Sequence, residues 1–351
     1  MINSIKIKDR IIGTEQKPFI IAEMSGNHNQ SLERALQIVK AAADAKADAI
    51  KLQTYTADTI TFNGSREEFF IRDENSLWKN QKLYDLYKQA YTPWEWHQPI
   101  FDYAKKLGLI AFSSPFDESA VDFLETLNVP LYKIASFENT DHILLKKAAK
   151  TGKPIIMSTG VATITDMQES IKVLRGEGCK ELILLKCTST YPASPENTNV
   201  VTIPHMRELY DCNIGLSDHT MGIGVSIAAV ALGACVIEKH FTLSRADGGV
   251  DSAFSLESTE FKNLVIETER AFLSLGKINY ELSEKEKKSL QFKRSLYLVK
   301  DIEAGEIITA EHIKSIRPAN GLHTKFYENI LGKTATQNAK AGTPLSFKMI
   351  K

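Results

Sequence analysis

Short apolar runs alternate with longer segments of helical spacing along most of the chain. The first run, Phe19 to Ala22, ends in Glu23. After a polar loop, Ser31 stands where a helix N-cap is expected, before the apolar positions Leu32, Ala35, Leu36, Val39 and Ala42. The pattern predicts a strand, a loop and an amphipathic helix, and the same order recurs along the chain.

Seven further apolar runs predict strands at about 49–53, 109–112, 131–135, 154–157, 182–185, 214–216 and 235–237. Helical segments are predicted between and after them, and one is expected to start in a capping box at Thr92-Pro93-Trp94-Glu95. Eight strands alternating with helices over about 250 residues favour an α/β fold of the (β/α)8 TIM barrel type. An open doubly wound sheet is the alternative, but the glycine fingerprint of a dinucleotide site is missing.

The segment 54–91 is longer than an ordinary loop between a strand and a helix. It is polar and aromatic. We therefore predict that it forms a lid or a wall of a substrate site.

Two predicted neighbouring strands end in histidine, at His219 and His240. The crossover between them makes the strands parallel and adjacent, so both imidazoles should lie at the same barrel end. Neutral imidazoles without thiolates suit a divalent metal that keeps positions open for substrate and water. A hydrogen-bonded structural histidine is the alternative for each, and it is the interpretation we give His28 and His97.

Polar residues end nearly every predicted strand. Because active sites of barrels are built from the C-termini of the strands, these residues are expected to form a single site.

Lys51 and Lys133 are costly in a barrel interior unless each is paired or holds an anion. With nearby hydroxyls they would form a cradle for phosphate or carboxylate, supplied by Ser136, Ser158, Ser189 and Ser217. The alternative is that each lysine pairs with a carboxylate such as Glu23 or Glu138; these two and Asp251 are the acid and base candidates.

Formal charge is balanced, with 43 basic and 43 acidic residues, so no global field favours nucleic acid or an anionic membrane. The N-terminus lacks a signal-peptide core, and no apolar run approaches the ~20 residues of a membrane span. We expect a soluble, cytoplasmic protein. The four cysteines are widely spaced and are interpreted as buried apolar residues in a reducing compartment.

The composition changes after the predicted barrel, assigned to residues 1–280. Residues 281–293 begin with the charged stretch ELSEKEKK and are predicted to be a helical linker. Residues 294–351 contain a strand signal at Leu296 to Val299 and two Ala-Gly turns, and form a module small enough to be marginal alone.

A series of motifs in order resembles the sialic acid synthase family: IIAEMSGNHN, KLQTYT, SSPF, YKIASFE, MSTG, KCTSTYP, GLSDHT, EKHFTL and SIRPANG. The resemblance covers about Phe19 to Phe347 and implies a TIM barrel followed by an antifreeze-like, SAF-type domain. It is nearest to the pseudaminate-forming branch, through SLW, LYDLY, TPWEWH, VDSAFSLE and RPANGLHTKFY. The implied reaction condenses phosphoenolpyruvate with 2,4-diacetamido-2,4,6-trideoxy-altropyranose and water, releasing phosphate.

The resemblance also implies roles for individual residues. His219 and His240 would ligate Mn²⁺ or Mg²⁺, and phosphoenolpyruvate would be held by Lys51, Ser114, Lys133, Ser136, Ser158, Ser189 and Ser217. The catalytic carboxylates would be Glu23, Glu138 and Asp251. Of these, Glu138 would activate the water. The sugar would be bound by Gln53, Tyr191, Asp251 and Arg317, with Arg317 reaching the partner's site in a domain-swapped homodimer.

Departures from the broader family occur at Gln30, at Ser189 and in the loop SRADGGVD. They agree with the pseudaminate branch and lie where the sugar's substituents would be recognised. N-acetylneuraminate or legionaminate synthesis is therefore the alternative activity. The alternative outside enzymes is a sugar- or ice-binding protein built on the C-terminal module, which the rim of Lys, Glu, Ser and His argues against.

Overall fold

The computed structural model describes residues 2–74 and 76–351 and divides into two compact units, one up to Gly276 and the other Lys277–Lys351. The first unit begins with an antiparallel hairpin of β1 (Ile5–Ile7) and β2 (Arg10–Ile12). Within the described residues, no helix combines the length and the apolar character needed to cross a membrane.

Eight parallel strands then close a barrel in the order β10-β3-β4-β5-β6-β7-β8-β9. They are β3 (Phe19–Glu23), β4 (Ala49–Thr54), β5 (Ile110–Pro115), β6 (Tyr132–Ile134), β7 (Ile155–Ser158), β8 (Leu182–Cys187), β9 (Asn213–Asp218) and β10 (Val236–His240). The predicted (β/α)8 barrel is confirmed, and the open sheet is excluded because β10 pairs with β3.

Helices of the first unit surround the strands or extend the loops. They are α1 (Leu32–Asp44), α2 (Ala57–Ile60), α3 (Leu83–Ala90), α4 (His97–Lys106), α5 (Glu118–Thr126), α6 (His142–Ala149), α7 (Ile164–Gly176), α8 (Thr202–Tyr210), α9 (Gly224–Ala231) and α10 (Ser258–Leu275). Ser31 caps α1 as predicted, with its side chain accepting from Arg34 N.

The predicted capping box at Thr92 is wrong. A short 3-10 turn, Trp94–Trp96, precedes α4, which begins at His97 without a side-chain cap. The hydroxyl of Thr92 is buried and lies 3.2 Å from Nε2 of His28. Because this hydroxyl is engaged by a histidine from the β3–α1 loop, it does not cap the helix.

Apolar packing occurs in two layers of the first unit. One lies between the strands and the helices; the other fills the barrel interior and joins the hairpin, where Ile5, Ile7 and Ile12 pack with inward residues such as Phe19 and Phe112. Strand residues alternate between the two layers because successive side chains point to opposite faces. The hairpin thus closes the N-terminal end of the barrel and leaves polar groups at the other.

The second unit contains α11 (Glu284–Ser289), β11 (Ser295–Leu298), β12 (Ile313–Ile316) and α12 (Tyr327–Ile330). Strands β11 and β12 pair antiparallel, and the strand predicted from Leu296 is confirmed. Its core consists of Leu296, Leu298, Ile302, Ile308, Ile313, Ile330, Ala335, Leu345 and Met349. The two predicted Ala-Gly turns have φ near 90° at Gly305 and Gly342, a conformation that glycine adopts without a steric penalty.

Candidate functional site

The C-terminal ends of the barrel strands place charged side chains in the interior. Along β10, Glu238 and His240 contact groups inside the barrel, whereas Lys239 between them pairs with Asp218 in the outer layer. This alternation follows from the period of two along a strand. It explains how one short segment supplies both a site and its support.

Lys51 on β4 is only 3% exposed and is surrounded by acceptors. Its ammonium forms a close ion pair with Oε2 of Glu23 on β3 and donates to Oγ of Ser114 on β5 at 3.2 Å. The predicted alternative of pairing with Glu23 is therefore confirmed for this lysine. Such pairing offsets the cost of burying an ammonium group.

Lys133 on β6 is 1% exposed and lies on the other side of the same interior. Its Nζ donates to Ser158 Oγ at 2.7 Å and to the Ile134 carbonyl at 2.9 Å. Its nearest carboxylate is Glu238, with Nζ 3.6 Å from Oε1, rather than the suggested Glu138. The two lysines thus face one interior from different strands.

Glu238 is a site residue that is not among those predicted from the sequence. Its Oε1 accepts from Ser217 Oγ at 3.1 Å, and its Oε2 lies 3.9 Å from Nζ of Lys51. Burial acts to raise the pKa of Glu238, but Lys133 and Lys51 outweigh it and hold the pKa below its usual value. The carboxylate therefore remains ionised between the two lysines.

A hydroxyl cradle is formed by Ser136 and Ser189, which follow β6 and β8, around Gly160, which follows β7. A Cβ atom added to Gly160 would collide with Oγ of Ser189 and lie 2.7 Å from Oγ of Ser136, so this glycine leaves the space between the two hydroxyls open. Asn139 donates to the carbonyls of Ser158 and Gly160 at 3.2 and 2.9 Å, which fixes the loop. Fixed neutral donors next to a buried cation are what an anionic group requires.

The imidazoles of His219 and His240 converge, as predicted from the strand order. Their ring centroids are 5.4 Å apart with planes inclined by 55°. Nδ1 of His219 lies 3.1 Å from the Thr188 carbonyl, which can only accept, so this nitrogen carries a proton. In the neutral ring Nε2 would then keep its lone pair, although the effect of burial is outweighed by the contact with Cys187, which raises the pKa of this imidazole. Nδ1 of His240 is buried without a hydrogen-bond partner.

These histidines fit a metal bound by few protein ligands. In their neutral forms the two imidazoles, one with an unpartnered buried nitrogen, can share an ion that takes its other ligands from water or substrate. Across residues 2–74 and 76–351, no group of three or more His, Cys, Asp or Glu side chains is placed to hold a metal by itself. Any ion here would therefore keep several coordination positions open.

Aromatic rings line the mouth of the site around the histidines. Tyr191, after β8, packs against His219 with ring centroids 4.5 Å apart and against Phe254 at 5.3 Å. Trp78, from the long 54–91 segment, lies 6.1 Å from Tyr191 and donates from Nε1 to the Val250 carbonyl at 3.2 Å. The segment predicted to be a lid or wall therefore contributes a ring to the mouth.

The three predicted carboxylates occupy different surroundings. Burial raises the pKa of Glu23 to about 7 against the opposing effect of Lys51, and Gln53 Nε2 donates to its Oε1 at 3.1 Å. Burial also raises the pKa of Glu138 to about 7, although Lys133 acts in the opposite direction, and its Oε2 has no hydrogen-bond partner. Asp251 is bound by the Ser25 hydroxyl, and burial raises its pKa.

Cys187 differs from the prediction of four inert apolar cysteines. All four are buried and free of disulfides, as predicted. However, Sγ of Cys187 lies 3.3 Å from Ser136 Oγ, 3.6 Å from Ser189 Oγ and 3.8 Å from His219 Nδ1. The thiol therefore belongs to the polar interior, and it ties the hydroxyl cradle to the histidine pair.

His28 and His97 lie in hydrogen-bonded, buried surroundings of the first unit, and Arg317 belongs to the second unit. His28 and His97 are fully buried, and burial lowers the pKa of each to about 4, which agrees with their structural assignment. His97 Nε2 is 2.8 Å from Thr54 Oγ1. Arg317 follows β12 in the second unit and is exposed.

Comparisons with known proteins agree with this architecture. The profile of the NeuB family matches residues 38–280, and that of the SAF domain matches residues 293–351. A pseudaminic acid synthase of Campylobacter jejuni is 46% identical over 95% of this chain and 96% of its own length. A pseudaminic acid synthase of Helicobacter pylori is 45% identical over 94% of this chain and 97% of its own. The solved N-acetylneuraminic acid synthetase of Leptospira borgpetersenii superposes with a TM-score of 0.73 at 32% identity, covering 83% of this chain and 96% of that one.

Proposed function

The chain belongs to the NeuB family, and we propose that it condenses phosphoenolpyruvate with 2,4-diacetamido-2,4,6-trideoxy-altropyranose and water, giving pseudaminate and phosphate. The observation that carries the chemistry is the pair of buried lysines with their hydroxyl cradle beside two facing imidazoles. The acceptor is supported by the near full-length similarity to pseudaminic acid synthases.

Phosphoenolpyruvate carries a carboxylate and a phosphate, and the interior offers a cation for each. Lys51 with Ser114 forms one donor group, and Lys133 with Ser158 forms the other. Ser136, Ser189 and Ser217 supply further hydroxyls around them. Because the ammonium groups are already held in place, anion binding needs little reorganisation.

His219 and His240 would hold a divalent ion, Mn²⁺ or Mg²⁺. When bound, the ion would polarise the aldehyde oxygen of the opened sugar and favour attack on the aldehyde carbon. The proton on Nδ1 of His219 is held by Thr188, which leaves Nε2 directed away from that carbonyl for coordination.

Carbon–carbon bond formation joins C3 of phosphoenolpyruvate to the aldehyde carbon, and the aldehyde oxygen takes a proton. Asp251, whose pKa is raised by burial, is our candidate for that donor. Water adds to C2, and Glu138 accepts one of its protons; the C2–O bond to phosphate then breaks as the new C2 hydroxyl gives its proton to the departing phosphate, which leaves the 2-keto group. With a pKa near 7, Glu138 is suited to exchange protons at neutral pH.

The sugar would lie towards the mouth of the barrel, next to Gln53, Tyr191 and Asp251. The aromatic faces of Tyr191, Phe254 and Trp78 suit the apolar C6 methyl group of a 6-deoxy sugar. We include in the proposal a homodimer in which Arg317 reaches the sugar site of the partner subunit. It rests on the family resemblance and on the exposure of Arg317.

A panel of acceptors tests the activity. Purified protein with Mn²⁺ and phosphoenolpyruvate should release phosphate with the diacetamido-trideoxy-altrose and poorly with N-acetylmannosamine. Equal or better turnover of N-acetylmannosamine or of the diacetamido-mannose acceptor would assign the chain to the neuraminate or legionaminate activity. Sugar binding that needs neither phosphoenolpyruvate nor metal, without phosphate release, would support the non-enzymatic alternative.

A further inference from the structure

The outward-facing residues at the ends of β9 and β10 form a second charged cluster, separate from the catalytic interior. Asp218 and Lys239 are Cα partners in the pairing of these strands. Their side chains are 0% and 1% exposed, and Lys239 Nζ lies 2.9 Å from Asp218 Oδ2. Asp218 immediately precedes His219, and Lys239 immediately precedes His240.

The ammonium group of Lys239 binds the backbone on both sides of His219. Nζ donates to the carbonyl of Thr220 at 2.7 Å and lies 3.5 Å from the carbonyl of Asp218. Together with the Asp218 carboxylate, these contacts use the three donors of a lysine. Lys239, whose own neighbour is the second histidine, therefore holds the peptide unit before His219 and the carbonyl of the residue after it.

Asp218 completes this arrangement from the other side. Its Oδ1 accepts from Thr220 N at 2.9 Å and from Thr220 Oγ1 at 2.7 Å, and its Oδ2 accepts from Ser226 Oγ at 2.6 Å. The loop after β9 and helix α9 are thus tied to the same carboxylate. Every polar group of the pair has a partner within the cluster.

A buried ion pair of this kind contributes little net stability compared with well-packed apolar residues. Its position is more informative than its energy, because Lys239 lies on the strand that ends in one proposed metal ligand, His240, and its hydrogen bonds reach the backbone on either side of the other, His219. Lys51 and Lys133 lie on β4 and β6 and make no contact with it that the structure shows. A disturbance of the cluster should therefore affect the histidines more than the anion cradle.

We propose that Lys239 is a positioning residue that, with Asp218, fixes the relative placement of the His219 and His240 rings. The inference deepens the proposed function, on which its metal readout rests. It assigns no chemical step to Lys239. Loss of the pair should change the separation or inclination of the rings while leaving phosphoenolpyruvate binding largely intact.

The test uses the full-length double variant Lys239→Met/Asp218→Asn, which removes both charges and so leaves neither buried alone. Its matched control is Arg10→Gln/Asp48→Asn, which removes a partly buried pair near the N-terminal end of the barrel, where Nε and Oδ1 are 2.9 Å apart. Circular dichroism and thermal melting report the fold of each. Mn²⁺ affinity and metal-free phosphoenolpyruvate affinity are measured by calorimetry.

We expect Mn²⁺ binding to weaken about 10- to 100-fold in the first variant, as for other residues that orient metal ligands. Metal-free phosphoenolpyruvate affinity should be nearly unchanged, and the control should retain both affinities even with a lowered melting temperature. A folded first variant with wild-type Mn²⁺ affinity, or an equal loss in the control, would overturn the positioning role.

Two further measurements keep the inference testable. If the double variant does not fold, the variant Lys239→Arg is used, which keeps the charge but changes the reach of the side chain to the two carbonyls. It should still weaken Mn²⁺ binding, and a wild-type Mn²⁺ affinity would overturn the inference.

If the wild-type protein binds no Mn²⁺, the metal part of the proposed function fails by itself. The ring resonances of His219 and His240 in ¹³C-histidine NMR then decide: they should shift in the Lys239 variants, and unchanged resonances would contradict the inference.

Discussion

The rings of His219 and His240 face each other across the ends of two adjacent parallel strands, with centroids 5.4 Å apart. Replacing His219 by Ala removes one of the two proposed ligands without opening a cavity in the apolar layer. We expect phosphate release to fall by about 100-fold or more, since residues that only orient a metal ligand already cost about 10- to 100-fold. The exposed His205→Ala on α8 is the control and should remain active. A near-normal rate in His219→Ala would remove the metal assignment.

The pKa of Glu138 predicts a pH dependence. Burial raises this pKa to about 7, so the carboxylate base forms only as the pH rises through that value. We expect kcat/KM for phosphoenolpyruvate to increase with pH through about 7. In Glu138→Gln the rate should be low, and this part of the profile should disappear. The ionisation of the substrate contributes equally to both proteins, so an unchanged profile shape in the variant would exclude Glu138 as the titrating base.

Substitution of Gly160 is expected to lower the affinity for phosphoenolpyruvate selectively. In Gly160→Ala the new methyl group would displace the hydroxyls of Ser136 and Ser189 from the cradle. Loss of hydrogen bonds to a charged ligand should raise KM for phosphoenolpyruvate by about tenfold or more. Gly176→Ala, where an added Cβ has no heavy atom within 4 Å, is the matched control and should behave like wild type. An unchanged KM in Gly160→Ala would show that the cradle does not bind this substrate.

The proposed role of Arg317 in the partner's sugar site can be tested with mixed dimers of two variants. Arg317→Ala should mainly raise KM for the sugar, because an exposed guanidinium is removed without disturbing a core. If the domains swap, unfolding and refolding it together with His219→Ala should restore about a quarter of the wild-type rate, since half of the dimers would contain one complete site. Each variant refolded alone is the control. No recovery above these controls would contradict the domain swap.

Much of the fold could be predicted because the relevant signals are local. Eight apolar runs separated by helical segments specify a barrel, and the strand-helix-strand order alone places His219 beside His240. Glu238 could have been found by the same rule: if His240 points inward, so does the residue two positions earlier. It was missed because an adjacent Glu and Lys at a strand end look equivalent until one is assigned to the interior.

Other features depend on contacts between distant segments. The environment of Cys187 is made by groups from three loops, Ser136, Ser189 and His219, and no local pattern encodes it. Thr92 has the sequence of a helix cap, but a histidine far away in the chain engages its hydroxyl. In both cases tertiary hydrogen bonds override an expectation based on residue type and spacing.

The hairpin of β1 and β2 makes the barrel a blind-ended chamber, because its isoleucines pack with the apolar interior below the charged residues. Both substrates must then enter and leave at the C-terminal end of the strands. If the sugar binds at the aromatic mouth as proposed, phosphoenolpyruvate, whose proposed lysines are the more deeply buried, is expected to enter first, and a sugar that arrives early would block it. Closure of the N-terminal end would thereby impose an ordered binding of the two substrates. Such an order would be seen as substrate inhibition by excess acceptor.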